Sequence, residues 1–368
     1  MQIKTYNSAQ LNDLILSDEF RTMPVIPIST HRAISHIRNP RVDPDDVLMI
    51  IMYDYTGMVG YLGVLADRIY NSAGEEFKCG WLSCMWVDPE QRGKGIAKQL
   101  LNTAFKSWND HILVTEFTPE AKGLYDRSGN FNALRSNDGL RCYLRFNLHE
   151  VLPKKNEKYK PYSSLLKLVD AVANIPVDVK LKRLPPLKYS QHRFEPVSGH
   201  VRDDVDQFIR SFQAYSFERR DVRDLNWIME YPWLVQSGTT EESHRYHFSS
   251  VADRFQNLSV KMMDGDRMIG FLHLTIRDNH LKMPYAFISK ENVRDVMEYI
   301  YDVMLTLRLN MLTVFHKDIV AYLQQNSNSF IYKRPIKRNY IITKKLDAHF
   351  ADKDKLIIQD GDADCAFT

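Results

Sequence analysis

Cysteine is scarce in this 368-residue chain, with four residues, Cys79, Cys84, Cys142 and Cys365, none at the paired spacings of a zinc site or a disulfide framework. No metal centre is expected. No run approaches the roughly 18 apolar residues that a membrane-spanning helix needs, so no membrane partner is expected either. Charge imbalance is also missing. Forty-nine Lys and Arg against 46 Asp and Glu leave a net charge of +3, too little to argue for a nucleic-acid partner, although basic residues gather between Lys154 and Arg193 and between Lys333 and Lys345. The opening residues Met1 to Tyr6 show neither the charged nor the apolar stretch of a secretory signal, and a cytoplasmic protein is expected.

What is present reads as an ordinary globular protein, with 44% hydrophobic and 26% charged residues. The length suits two domains, each able to bury its own core. Along the first half, the pattern predicts a strand at Ile3 to Tyr6, helices over 8–16 and 32–37, and a hairpin of Val47 to Met52 with Met58 to Asp67 across the turn Asp54 to Gly57. A long strand, Phe77 to Val87, comes next. Gly93 to Trp108 places Ile96, Leu100, Leu101, Ala104 and Phe105 at helical spacing, and Ile112 to Phe117 follows as a strand that should run parallel to the previous one. Pro119 to Arg127 predicts a helix, with two short strands, Phe131 to Leu134 and Arg141 to Asn147, closing the sheet.

The most informative stretch is Trp86-Val87-Asp88-Pro89-Glu90-Gln91-Arg92-Gly93-Lys94-Gly95-Ile96-Ala97, which leaves a strand, passes a short polar turn and enters a helix. The first N–H groups of a helix lack intrahelical partners and carry the positive end of its dipole, so a turn free of bulk at that point receives a phosphate. Arg92, Gly95 and Ala97 stand at the first, fourth and sixth places of an Arg-x-x-Gly-x-Gly/Ala pattern, flanked by Val-Asp-Pro and Ile-Ala-Lys-Gln-Leu-Leu. This signature resembles the acetyl-CoA loop of the GCN5-related N-acetyltransferases (GNAT), over roughly residues 1 to 147.

The resemblance implies acetyl-CoA as donor, with Arg92, Gly93, Lys94, Gly95, Ile96 and Ala97 around its pyrophosphate and the backbone of Met85, Trp86 and Val87 along its pantetheine, between two strands that splay apart. It implies direct transfer to a primary amine of a small molecule or peptide. Tyr125, in Leu124-Tyr125-Asp126-Arg127-Ser128-Gly129-Asn130-Phe131, stands close to the family's Leu-Tyr-x-x-x-Gly-Phe pattern, with Asn130 as an extra residue. Its expected role is to protonate the departing CoA thiolate. The strand Gly80 to Val87 carries no carboxylate, so Glu116 or a water relay is left as the general base.

The fold class expected is α+β, as two tandem acyl-CoA N-acyltransferase-like domains, each a mixed, mostly antiparallel sheet flanked by helices. The division expected is 1–150 for the acetyltransferase domain, 151–193 for a Pro/Lys-rich connector with one amphipathic helix at Ser163 to Ala173, 194–346 for a diverged second copy, and 347–368 for a tail. The second copy repeats the element order, with a hairpin across Asp264 to Arg267, but reads Ile288-Ser289-Lys290-Glu291-Asn292 where a cofactor loop would sit. It has no glycine there, and CoA binding is not expected of it. Two other readings stay open: a non-catalytic acyl-CoA sensor or scaffold, and a dinucleotide oxidoreductase using Gly93-x-Gly95 with Glu116 as the ribose acid. A homodimer is left open as well.

Overall fold

The computed structural model describes all residues except 56, 183–191, 237, 239, 327, 328 and 368. Thr56 of the expected turn, residues 183–191 of the expected connector and the last residue of the expected tail therefore lie outside the described residues. The chain forms two compact units that are discontinuous in sequence: residues 1–137, 198–255 and 337–368 make the first, and residues 138–197 and 256–336 the second.

In the first unit, β1 (Gln2–Tyr6), β2 (Met49–Asp54), β3 (Gly57–Tyr70) and β4 (Glu76–Val87) form an antiparallel meander. Beside β4 lies β5 (Ile112–Thr115), which is parallel to it. The strand Tyr332–Thr343 then pairs antiparallel with β5, Tyr340 opposite Thr115 and Ile342 opposite Leu113, and β6 (Phe131–Tyr143) begins next to it. Met49 to Met52 and Val59 to Asp67 are buried without a break, because helices cover one face and the later segments the other. The helices α1 (Ser8–Leu16), α2 (Asp18–Thr22), α3 (Thr30–Ile37), α4 (Ile96–Ser107) and α5 (Pro119–Ser128) belong to this unit. On α4 the buried residues are Ile96, Leu100, Leu101, Ala104 and Phe105, the set that the helical spacing marks.

The second unit holds strands in the order β6, Met311–Val314, His280–Ile288, Arg267–Arg277, Phe255–Asp264 and Arg193–Pro196. His280–Ile288 pairs parallel with Met311–Val314 and antiparallel with Arg267–Arg277, and Met311–Val314 pairs antiparallel with β6. Helices Val293–Thr306 and Lys317–Gln325 bury Val296, Ile300 and Leu323 against Leu272, Leu274 and Leu312. The chain is thus α+β, with mostly antiparallel sheets flanked by helices.

Several elements differ from the sequence expectation. The two short strands at 131–134 and 141–147 are one strand, β6. Within it Gly139 allows close approach, since a Cβ on it would come within 2.6 Å of the Phe315 ring. The connector is largely helical: α6 (Leu148–Lys155), a 3₁₀ turn at Glu157–Tyr162 and α7 (Ser163–Lys182), which runs nine residues beyond the expected Ala173. The last strand starts at Tyr332 rather than Tyr340.

Residues 356–367 pack into the first unit. Arg338 pairs with Asp360, the Ala363 N–H donates to Glu218 Oε1 at 2.9 Å, and Phe367 stacks on Trp233 with ring centres 4.7 Å apart. Glu218 also accepts from Trp81 Nε1 at 2.9 Å, so β4 and the C-terminal segment share one buried carboxylate. Deeper in, Asp67 receives both Arg41 and Arg220, and Arg41 reaches Asp224 at 2.6 Å. Each of these buried charges has an opposite partner, as burial requires. No helix among the described residues is long and apolar enough to cross a membrane.

Candidate active site

The strands β4 and β5 pair only at Gly80 with Ile112 and Trp81 with Leu113. Beyond that point they part. Tyr61 faces Trp86 while Gly63 faces Ser83, so β4 carries one residue more than β3 in this interval, and Cys84 takes a left-handed φ of 55°. Such a bulge redirects the residues that follow it. Here these are Met85, Trp86 and Val87, which line a groove of about 1140 Å³.

The opposite lip of the groove comes from Thr118, Ala121, Leu124 and Arg127 of α5 and its cap, and its floor from the start of α4. Arg92, Gly93, Gly95, Ile96 and Ala97 all line it. Lys94 does not, and its Nζ donates instead to Gln91 Oε1 at 2.7 Å. Gly93 and Gly95 have φ of 82° and 78°, conformations that strain any residue with a Cβ. A Cβ at either position would meet nothing within 4 Å. The space beside them is therefore open to a ligand. Gly95 caps α4 without a side-chain hydrogen bond, and the first turn of α4 has no acidic residue, so its leading N–H groups face outward with their dipole uncompensated. Arg92, Lys98 and Arg127 add positive charge around the same opening, against the one carboxylate among its lining residues, Glu120. The residues present fit a diphosphate followed by an extended, amide-bearing arm.

Tyr125 sits on α5, buried between the edges of Phe117 and Phe131, with ring centres 5.9 and 5.3 Å away. Desolvation pushes its phenol up to about 12, so it keeps its proton at neutral pH. Its neighbours Leu124 and Ser128 line the groove, while Tyr125 itself is not among the lining residues. The extra residue Asn130 is absorbed after the left-handed cap Gly129, and Phe131 still reaches the tyrosine ring. Glu116 follows the last residue of β5 with φ 49°, and its Oε1 lies 2.7 Å from Arg338 Nη2.

A second group of polar side chains meets at the β4 bulge. Arg32 of α3 reaches Ser83 Oγ at 2.6 Å, Cys84 Sγ at 2.6 Å and Tyr246 Oη at 3.1 Å, with its guanidinium 3.6 Å above Trp233. Ser83 Oγ in turn donates to Asp364 Oδ2. Asp364 keeps some accessible surface, yet desolvation raises its pKa against the lowering effects of Ser83, Arg32 and Arg338. No local pattern marks Asp364 in the sequence, because it lies about 280 residues from the bulge it joins. The structure brings the cofactor-loop residues together with Met85 to Val87, and adds Arg32, Ser83 and Asp364, which sequence reasoning missed.

Residues 45–129 match the acetyltransferase (GNAT) domain family. This span runs from the start of β2 to the cap of α5 and so contains the whole groove. No protein with a curated description matches the chain by sequence. Among solved structures, a GCN5-related N-acetyltransferase from Anabaena variabilis ATCC 29413 is similar with a TM-score of 0.52 at 12% identity, over 92% of this chain and 72% of that one. A conserved protein of unknown function from Enterococcus faecalis V583, described as a probable N-acyltransferase, has a TM-score of 0.53 at 9% identity, over 94% of this chain and 73% of that one. At such identities the likeness is one of fold. The matched span encloses the groove, so the residues that build it are similar to a GNAT acetyltransferase domain at the site itself.

Proposed function

We propose that the chain transfers an acetyl group from acetyl-CoA to a primary amine of a small molecule or peptide. The observation that carries this reading is the uncapped, acid-free start of α4 behind two left-handed glycines, opening onto the groove that the β4 bulge lines. The amides of residues 93–97 hold the diphosphate, with Arg92 and Arg127 screening its charge. Acetyl-CoA supplies an activated thioester. Met85 to Val87 align the pantetheine arm by backbone hydrogen bonds, and an N–H of this stretch donates to the thioester oxygen.

Two protons then need places. Tyr125, held neutral by burial, gives its phenolic proton to the departing thiolate. The attacking amine, cationic at neutral pH, must first lose a proton. Of the carboxylates at the splayed strands, Glu116 is already engaged by Arg338, whereas Asp364 has a raised pKa and stands beside the bulge on Ser83. We assign the base to Asp364, with Glu116 held by Arg338 at the end of β5. The second unit enters its helix Val293–Thr306 through Lys290–Asn292, where no glycine stands and Glu291 projects a negative charge, and we read it as a diverged copy without donor binding.

The test is calorimetric titration with CoA followed by thiol release from acetyl-CoA across a panel of amino acids, polyamines, amino sugars and peptides. Tight CoA binding with amine-dependent thiol release supports the transferase. Binding without turnover on any amine identifies a sensor or scaffold, and the absence of CoA binding overturns the reading.

A further inference from the structure

The helix α7 (Ser163–Lys182) has two apolar faces, and the fold uses one of them. Leu181 is buried and Val177 packs against the core of the second unit. On that side Asp170 accepts the backbone N–H groups of Leu148 and His149 at 2.8 and 2.9 Å, and Asn174 bonds the Phe146 N–H and carbonyl at 2.8 and 2.9 Å. Arg145 Nε holds Asp178 at 2.7 Å. The helix is therefore fixed in rotation, and its other face is presented in a defined orientation.

On that outer face Leu165, Leu168, Val172, Ile175 and Val179 are each between 43% and 62% exposed. Their spacing is three, four, three, four, which is the a/d repeat of a helix that packs along another helix. Three properties point to what covers it. Between Ser164 and Val179 the flanking positions of the repeat hold Ser164, Val169, Ala171 and Pro176, all uncharged, with Asp178 already paired to Arg145, and the next seam position, Lys182, ends the helix. The lysines Lys167 and Lys180 fall at positions off the seam. The bare apolar surface is on the order of 500 Å² per chain, so two copies would cover about 1,000 Å², the area that a specific protein interface must clear.

We propose that this seam is a dimer interface in which α7 of one chain packs along α7 of a second copy. The pairing is isologous, the same stripe serving both copies, and it closes the assembly at two. It is independent of the acyl-transfer reading, since no groove residue takes part.

The test uses the full chain in sedimentation equilibrium and light scattering between about 1 and 100 μM. The expected mass is twice 43.1 kDa. The double variant Val172→Glu/Ile175→Glu should run as a 43.1 kDa monomer with unchanged circular dichroism and CoA affinity, its dissociation constant raised at least about 100-fold. Should that variant misfold, cysteine substitutions decide: oxidised Val172→Cys gives a disulfide-linked dimer, while Lys180→Cys, off the seam, does not. A monomeric wild-type chain at 100 μM overturns the proposal, as does a dimer indifferent to both glutamates. Seam-dependent binding of a monomeric chain to vesicles of phosphatidylcholine and phosphatidylserine at 7:3 would overturn it too, assigning the stripe to a membrane surface.

Discussion

Gly95→Asp isolates the diphosphate site from the rest of the structure. The residue is exposed at the N-cap of α4 with φ 78°, and a Cβ there meets no protein atom within 4 Å. Folding should therefore lose only the left-handed penalty, about 1–2 kcal/mol and less for Asp than for most residues, which a two-unit protein tolerates. Binding should lose more. A carboxylate about 5 Å from the nearer phosphate charge costs roughly 1 kcal/mol if water screens it fully and roughly 3 kcal/mol at the partly shielded lip of a groove. The expected outcome is a CoA dissociation constant raised about 5- to 200-fold. Gly95→Ala separates the two effects, because it carries the backbone strain without the charge and should weaken CoA by less than about fivefold. Because the site is exposed, raising salt from 0.05 to 0.5 M should narrow the gap between Asp and Ala variants. Calorimetric titration with CoA, with thermal unfolding as the folding control, reads all three. An affinity for Gly95→Asp within threefold of the unaltered chain, with the variant still folded at the temperature of the titration, would refute the placement of the diphosphate.

Tyr125→Phe keeps the packing against Phe117 and Phe131 and should lower kcat about 100-fold with little change in the KM for acetyl-CoA, as removal of a general acid does; an unchanged kcat removes Tyr125 from the chemistry. Asp364→Asn should abolish the acidic limb of the kcat/KM pH profile and cost at least about 100-fold, while CoA affinity stays within twofold, and a profile unaltered in shape points to the water relay. Fully buried His36, stacked 5.2 Å from Trp233, is held neutral, with its pKa lowered to about 3 by desolvation and Arg32. The unfolded chain binds this proton below pH 6.5 and the folded chain does not, so the stability that His36 contributes is complete above pH 6.5 and falls about 1.4 kcal/mol per pH unit below it, down to pH 3; buried His273, lowered to about 4, adds a slope of the same sign. Denaturant titrations at pH 7, 6 and 5 should show stability falling toward low pH, and His36→Phe should lessen the fall between pH 6 and 5 by about 1 kcal/mol.

Much of the site is legible in the sequence through local chemistry. The step from β4 to α4 is legible because its determinants are adjacent: an apolar strand, a proline turn, two glycines in left-handed conformation and a helix with Ile96 and Leu100 at core spacing. The same holds for Tyr125, one turn before its glycine cap. By contrast, Gly139 has the composition of a turn and the role of a contact, and only the Phe315 ring against it reveals which. The heptad on α7 is written in the sequence, but the weak pattern around its prolines hid it inside an expected connector.

Composition, periodicity and one contiguous loop thus determined the α+β class, the order of elements and the place where a diphosphate meets a helix, since each depends on residues a few positions apart. Tertiary structure alone decided that residues 198–255 and 337–368 belong with the first unit, that Asp364 reaches Ser83, that Arg338 claims Glu116, and that α7 keeps an uncovered face. Those facts rest on contacts between segments hundreds of residues apart and on which surfaces remain in water, and neither is written in the order of neighbouring residues.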